Sequence, residues 1–469
     1  MARIGPLLCH FGLRPLGIAL AAAAALCGAA TAQARLSDAV GMAPPALTAS
    51  PARLADLALF RRDFLDRDLS FSPDARAAAQ ARLAALIDAA GAFSDAQIEL
   101  ELARIAALAD NGHTNSFPAH RAARYNRIAL RLAPFEGDFV VVRARGEHAD
   151  LLGATLIGVD GRPFDATRAA AFALFGGPVQ WRATLAPFFF ESPEQMHAAG
   201  VADAADAATY EFAMPDGVVV SRRIAGERGT PLWRGYDAHR WLWPERTAIE
   251  NGDWRTLLPV ERAPYAFTEA ERAFRWRDAP ELDAFIIELR QNRDALGASI
   301  ADFLAQAARE RAWSRRRHLI LDMRFNSGGD LTTTEPYMRG FARSVRGRIV
   351  VLTSAWTFSA GIASIGYLKQ AGGDRVTIIG EPAGDRLQFW AEGDFVTLPG
   401  LQMRLLFADG YHDYLTGCAT AICHPAVEFR PIAVASIAPD IAAPLTLSAY
   451  RAGRDPAMEA AAAFLAGQR

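Results

Sequence analysis

The stretch Arg317-His318-Leu319-Ile320-Leu321-Asp322-Met323-Arg324-Phe325-Asn326-Ser327-Gly328-Gly329-Asp330 decides the reading of this chain. Its aliphatic run ends in a polar Asn-Ser-Gly-Gly turn, which predicts a buried strand delivering flexible backbone to a site. A second run, Arg348 to Thr353, leads into Thr357-Phe358-Ser359-Ala360-Gly361, which predicts another buried strand and then a helix starting at Ser359. The first N–H groups of a helix lack intrahelical acceptors, and the helix dipole favours negative charge beside them. A nucleophile and donors for an oxyanion can therefore sit at adjacent positions. Taken alone, Ser359 reads more simply as a helix N-cap, a common place for serine.

The order of the segments changes that balance. After the Gly-Gly turn, the strand and Ser359 comes Ile378-Ile379-Gly380-Glu381-Pro382-Ala383-Gly384. In this order the segments resemble the tail-specific (carboxy-terminal processing) peptidases and their tricorn-core and retinoid-binding-module relatives. The resemblance is clear from about residue 285 to 441 and weaker upstream. It implies an α/β fold with a crotonase-like (spiral ββα) catalytic domain, Ser359 as nucleophile, and an oxyanion hole from the amides of Gly328 or Gly329 with Ala360. Glycines suit that task because the backbone must approach the substrate closely.

Many tail-specific peptidases pair the serine with a lysine, and here the composition forbids it. Of 50 basic residues one is a lysine, Lys369. The turn where the family's lysine is sought continues Gly384-Asp385-Arg386, and arginine stays protonated and cannot act as a base. Lys369 follows Ser359 on the same predicted helix, about 15 Å away along its axis. A base must come from elsewhere. Far upstream, after the helical stretch Ile98 to Leu108, the chain reads Ala109-Asp110-Asn111-Gly112-His113-Thr114-Asn115. The resemblance to the tricorn-like branch, which has a similar turn, implies His113 as the catalytic base. Histidine titrates near neutrality and can accept the serine proton and return it to a leaving amine. The alternative is a helix C-cap turn with Asn111-Gly112 in left-handed conformation and a histidine without a task. The tricorn-like turn has a polar residue where this chain has Gly112. An orienting acid is sought in Glu381, Asp413 and Glu428, though Glu381 serves equally well as a cap on nearby amides.

Organisation along the 469 residues follows from composition. Residues 1–34 read as a signal peptide: Arg3 and Arg14, the apolar run Ile18 to Leu26, then small residues with cleavage after Ala32 or Ala34. The run is too short for a comfortable membrane span, and no later stretch reaches the roughly 20 residues a span requires. Residues 35–125 predict an N-terminal helical cap carrying His113, and 126–230 a PDZ-like α+β region. In the latter, Leu151 to Phe164 turns at Asp160-Gly161, a pattern any β-hairpin also shows. Residues 231–450 form the expected catalytic domain, where apolar strands alternate with helices and imply a mixed or parallel sheet covered by helices. Residues 451–469 close the chain as a helix or tail. Trp233, Trp241, Trp243 and Trp254 fit core packing or the lining of a cleft.

The net charge of −2, more negative once Arg3 and Arg14 are removed, gives no sign of nucleic-acid binding. Loss of Cys9 and Cys27 with the signal peptide leaves Cys418 and Cys423, either a disulfide closing a small loop or, with His412 and His424, a metal site lacking an evident four-ligand spacing. The disulfide is the natural expectation for an exported protein, and the chemistry asks for no cofactor and no metal. The expected activity is serine-type cleavage of peptides or unfolded polypeptides bound as an added strand, in the periplasm or outside the cell. Two alternatives stay open: an inactive ligand-binding protein of the same fold, and an esterase or amidase of non-peptide acyl substrates.

Overall fold

Each of the first three helices starts on a serine. In the computed structural model, which describes residues 49–228, 237–245 and 253–467, α1 (Pro51–Leu59), α2 (Pro73–Ala89) and α3 (Asp95–Ala107) follow Ser50, Ser72 and Ser94. Each serine hydroxyl accepts the N–H three residues on, a cap that stabilises by about 1 kcal/mol. The apolar faces of these helices, through Leu57, Leu83, Leu102 and Ile105, bury against a hairpin from the other end of the chain that carries Leu398 and Leu405. The expected signal peptide lies outside the described residues.

The middle region is an antiparallel sheet ordered β1 (Leu130–Phe135), β2 (Asp138–Ala144), β3 (Thr155–Val159), β4 (Ala207–Ala213) and β5 (Val219–Ala225). Between β3 and β4 run helices, among them α4 (Phe164–Phe172) and α5 (Val179–Leu185). Pro215-Asp216-Gly217 turns the β4–β5 hairpin, with Gly217 at φ +87°.

In the C-terminal half the predicted strands and helices alternate: β6 (Phe274–Ala279), β7 (Ala284–Leu289), α6 (Ile300–Ser314), β8 (His318–Asp322), α7 (Leu331–Ser344), β9 (Ile349–Thr353), α8 (Ala360–Gly372) and β10 (Val376–Gly380). Two hairpin pairs follow. β11 (Gln388–Ala391) pairs with β14 (Gly410–Asp413), and β12 (Phe395–Leu398) with β13 (Met403–Leu406). The short β15 (Ile441–Ala442) and α9 (Pro456–Ala466) end the chain. The main sheet has the order β15-β10-β9-β8-β7-β6, parallel from β15 to β7 with β6 antiparallel at the edge. Unbroken aliphatic runs build it because both faces are covered. Leu319, Leu321, Val351 and Ile378 pack toward α6, α7 and α8. Their neighbours Ile320, Val350 and Ile379 pack toward α9. The expected mixed α/β architecture is therefore present, and Trp241 and Trp243 are core, packed against Phe325 and Tyr450; Trp233 lies outside the described residues.

Candidate active site

Strand β9 and helix α8 are joined by a turn in which Ser359 has φ +55° and ψ −127°. A non-glycine residue there is strained. The Ser359 hydroxyl makes no capping hydrogen bond, so capping does not explain this serine. The turn is held from below by a buried amide network. Asn326 receives the Phe358 N–H on its carbonyl at 2.9 Å and the Gly328 N–H on its Oδ1 at 2.9 Å. Its Nδ2 donates to Asn292 Oδ1 at 2.8 Å, and Asn292 Nδ2 donates to the Ala360 carbonyl at 2.7 Å and to Ser364 Oγ at 2.9 Å. Gly328 must be glycine: it has φ +89°, and a Cβ on it would lie 2.6 Å from that of Ser359. Of the three amides sought for the oxyanion, Gly328 N–H is already engaged by Asn326. The N–H groups of Gly329 and Ala360 have no acceptor among the described residues.

His113 stands beside this turn but is not bonded to it. Its ring is stacked between Phe358, at 4.5 Å between centroids, and Phe389, at 5.1 Å. The far face of Phe358 lies on Trp181 of α5 at 4.1 Å. The histidine is 8% exposed, and neither ring nitrogen has a hydrogen-bond partner among the described residues. The approach of polar groups closest to a contact is Nδ1 to Asp385 Oδ2 at 3.6 Å, and that oxygen too is buried without a hydrogen bond. Ser359 and His113 are thus linked through Phe358, which precedes the serine in the chain and stacks its ring on the histidine, with no hydrogen bond between the two.

The His113 loop is anchored on every side. Thr114 Oγ1 donates to Asp68 Oδ2 at 2.7 Å, Asn115 exchanges backbone hydrogen bonds with Leu406, and Asn111 Oδ1 accepts the Trp390 N–H. Asp110, with φ +48°, binds Arg182 at 2.5 Å and Arg386 at 2.7 Å. The left-handed residue of the loop is therefore Asp110, and Gly112 is needed for a different reason. A Cβ at 112 would lie 2.8 Å from the Phe358 ring and 3.2 Å from Asp385 Oδ2, so glycine is what lets the loop close on the serine turn. Arg386, at the place where a lysine was sought, serves this clamp. Lys369 is 3.8 Å from Asp440, at the opposite end of α8.

The three candidate acids have other occupations. Glu381 is part-buried, desolvation raises its pKa, and it accepts the Leu445 N–H at 3.2 Å. Burial opposes the charge of Asp413, but hydrogen bonds from Thr416, Leu415 and Gln388 outweigh it and hold its pKa low. Glu428 is exposed in a short helix, Pro425–Glu428. Asp385 is the carboxylate brought to His113, and sequence reasoning missed it although it directly follows the quoted Gly384. The expected Cys418–Cys423 disulfide is present, with 5.7 Å between Cα atoms.

No family model and no curated protein matches the chain. Solved structures do. Mature CPAF complexed with lactacystin aligns over 88% of this chain and 97% of its own, at 14% identity and a TM-score of 0.54. Mature CPAF alone aligns over 88% and 96%, at 13% identity and a TM-score of 0.52. For the photosystem II D1 C-terminal processing protease the score is 0.38, at 14% identity over 89% of this chain and 97% of that one. The strand–turn–helix at Ser359 therefore belongs to a chain with a fold like that of mature CPAF.

Proposed function

We propose that this protein is an exported serine-type peptidase acting on peptides or unfolded polypeptides. The observation that carries the proposal is Ser359 itself: a strained residue at the start of α8, its hydroxyl free of capping and the Ala360 N–H beside it without an acceptor. In this reading Ser359 Oγ attacks the substrate carbonyl while His113 takes its proton. The Gly329 and Ala360 N–H groups stabilise the oxyanion, and His113 then protonates the leaving amine. Water hydrolyses the acyl-enzyme by the reverse proton path. Asp385 orients the imidazole and stabilises its charged form, the role of the acid in such triads. For this step a contact of about 2.6–3.2 Å between His113 and Ser359 Oγ, the reach of a general base, has to form.

Export rests on Arg3, Arg14 and the apolar run behind them, together with the disulfide. A crotonase-like spiral for the C-terminal half and a PDZ-like character for the middle sheet are the finer fold readings that accompany this proposal. A second reading, a catalytically silent binding protein of the same fold, is favoured by the lack of hydrogen bonds on both His113 nitrogens. Turnover of a fluorogenic peptide library and of simple aryl esters separates the readings. Peptide cleavage that disappears in Ser359→Ala supports the proposal. Turnover confined to esters moves the protein to the esterase class, and no turnover of either supports the silent one.

A further inference from the structure

One ring beyond His113 lies a second cluster of chemistry-bearing side chains. Glu392, His412 and His424 each offer one ligand atom, and the three atoms lie within 4.8 Å of one another. His412 Nε2 is 3.1 Å from Glu392 Oε1, close to the roughly 3.3 Å edge of a tetrahedron whose ligands stand about 2.0–2.1 Å from zinc. Closing the remaining edges calls for small movements, and the Glu392 side chain, 41% exposed, is free to make them.

The surroundings are built to hold this group together. Pairing of β11 with β14 sets Phe389 opposite His412 and Ala391 opposite Gly410. Gly410 has no room for a side chain: a Cβ there would lie 2.9 Å from Glu392 Cγ and 3.1 Å from His424 Cβ. The His424 N–H donates to the Tyr411 carbonyl at 3.0 Å, and the Cys418–Cys423 disulfide closes the loop that presents it. His412 is buried, with Nδ1 2.8 Å from the hydroxyl of buried Tyr414. A metal-bound histidine needs an acceptor for its other ring N–H, and the Tyr414 hydroxyl oxygen can take the Nδ1 proton while Nε2 ligates. His424 Nδ1 accepts the Ala426 N–H at a long 3.3 Å. Ligation through its Nε2 moves the proton to Nδ1 and gives up only that contact.

From this arrangement we infer that Glu392, His412 and His424 form a binding site for a divalent transition metal, Zn²⁺ in the first place, with a fourth position open to water. Two imidazoles and one carboxylate suit zinc and not magnesium or calcium, which take oxygen ligands. The cysteine sulfurs, joined to each other, are not ligands. The bound ion would fix the His412 ring, which stacks on Phe389 at 5.0 Å, and so brace the face against which His113 rests. This inference does not depend on the peptidase reading, because the site contains neither Ser359 nor His113.

The test is to treat the oxidised mature protein with a chelator and titrate it with zinc sulfate against a chromophoric competitor. The expected result is one equivalent bound, weakened by about 10-fold or more in Glu392→Gln and in His424→Ala. The X-ray absorption spectrum of the zinc-loaded protein should show only nitrogen and oxygen neighbours near 2.0–2.1 Å. His424 is half-exposed, and near-ultraviolet circular dichroism verifies that its variant remains folded. No saturable binding, binding unchanged in both variants, or a sulfur shell would each overturn the assignment.

Discussion

The two halves of the candidate site are built differently. The Ser359 half is made within consecutive strand–turn–helix segments, and its strain is held by the hydrogen-bonded buried side chains of Asn326 and Asn292, the latter donating to the Ala360 carbonyl in the first turn of α8. The His113 half comes from an N-terminal loop whose neighbouring residues Asn111, Thr114 and Asn115 are hydrogen-bonded, but the His113 ring itself is held by ring faces, its two nitrogens without hydrogen bonds among the described residues. Polar networks that are fully satisfied specify one geometry, whereas unpaired buried polar groups cost free energy and await a partner. In the proposed mechanism, the comparison teaches that the nucleophile is preorganised and the base is stored. Phe358 is the hinge between them, since its backbone belongs to the serine turn and its ring packs into the core of the middle sheet.

The comparison can be broken or sharpened by substitution. Removing the nucleophile should have the largest effect: Ser359→Ala is expected to lower peptide turnover by about 10⁴-fold or more, with an unchanged melting temperature because the hydroxyl makes no capping bond. Asp385→Asn keeps the shape beside His113 and removes the charge. It should lower kcat by about 10²- to 10⁴-fold, measured on the same peptide, and a normal rate would remove Asp385 from the account. Phe358→Ala empties the place between Trp181 and His113 and should cost about 3–5 kcal/mol in urea unfolding. Gly112→Ala drives a methyl against the Phe358 ring and should cost about 1–3 kcal/mol by the same measurement. Asp110→Ala cuts an exposed clamp and should change stability by less than about 1 kcal/mol. Its expected signature is faster amide exchange over residues 110–115, with none over 326–330.

Much of the Ser359 half was legible because its determinants are local. Leu319 to Leu321 and Ile349 to Leu352 are continuous aliphatic runs, Gly328 sits next to Gly329, and α8 follows Ser359 directly. The His113 half was legible only as a motif. Asp385 is hidden in the sequence because the resemblance at that turn points to a lysine, and the acid of the recognisable Gly-Glu-Pro pattern is Glu381. The ring column from Trp181 through Phe358, His113 and Phe389 to His412 joins five separate segments, and no spacing in the sequence marks such contacts. In the sequence, His412 and His424 have the cysteines as companions. Their companion in space is Glu392, which the β11–β14 register supplies and the chain order hides.

The most direct test of the central claim is labelling of the purified mature protein with a fluorophosphonate probe, comparing wild type with Ser359→Ala and His113→Ala. The account predicts that wild type labels covalently and that both variants, folded, do not. Absence of labelling in folded wild type, or labelling that survives Ser359→Ala, would contradict it.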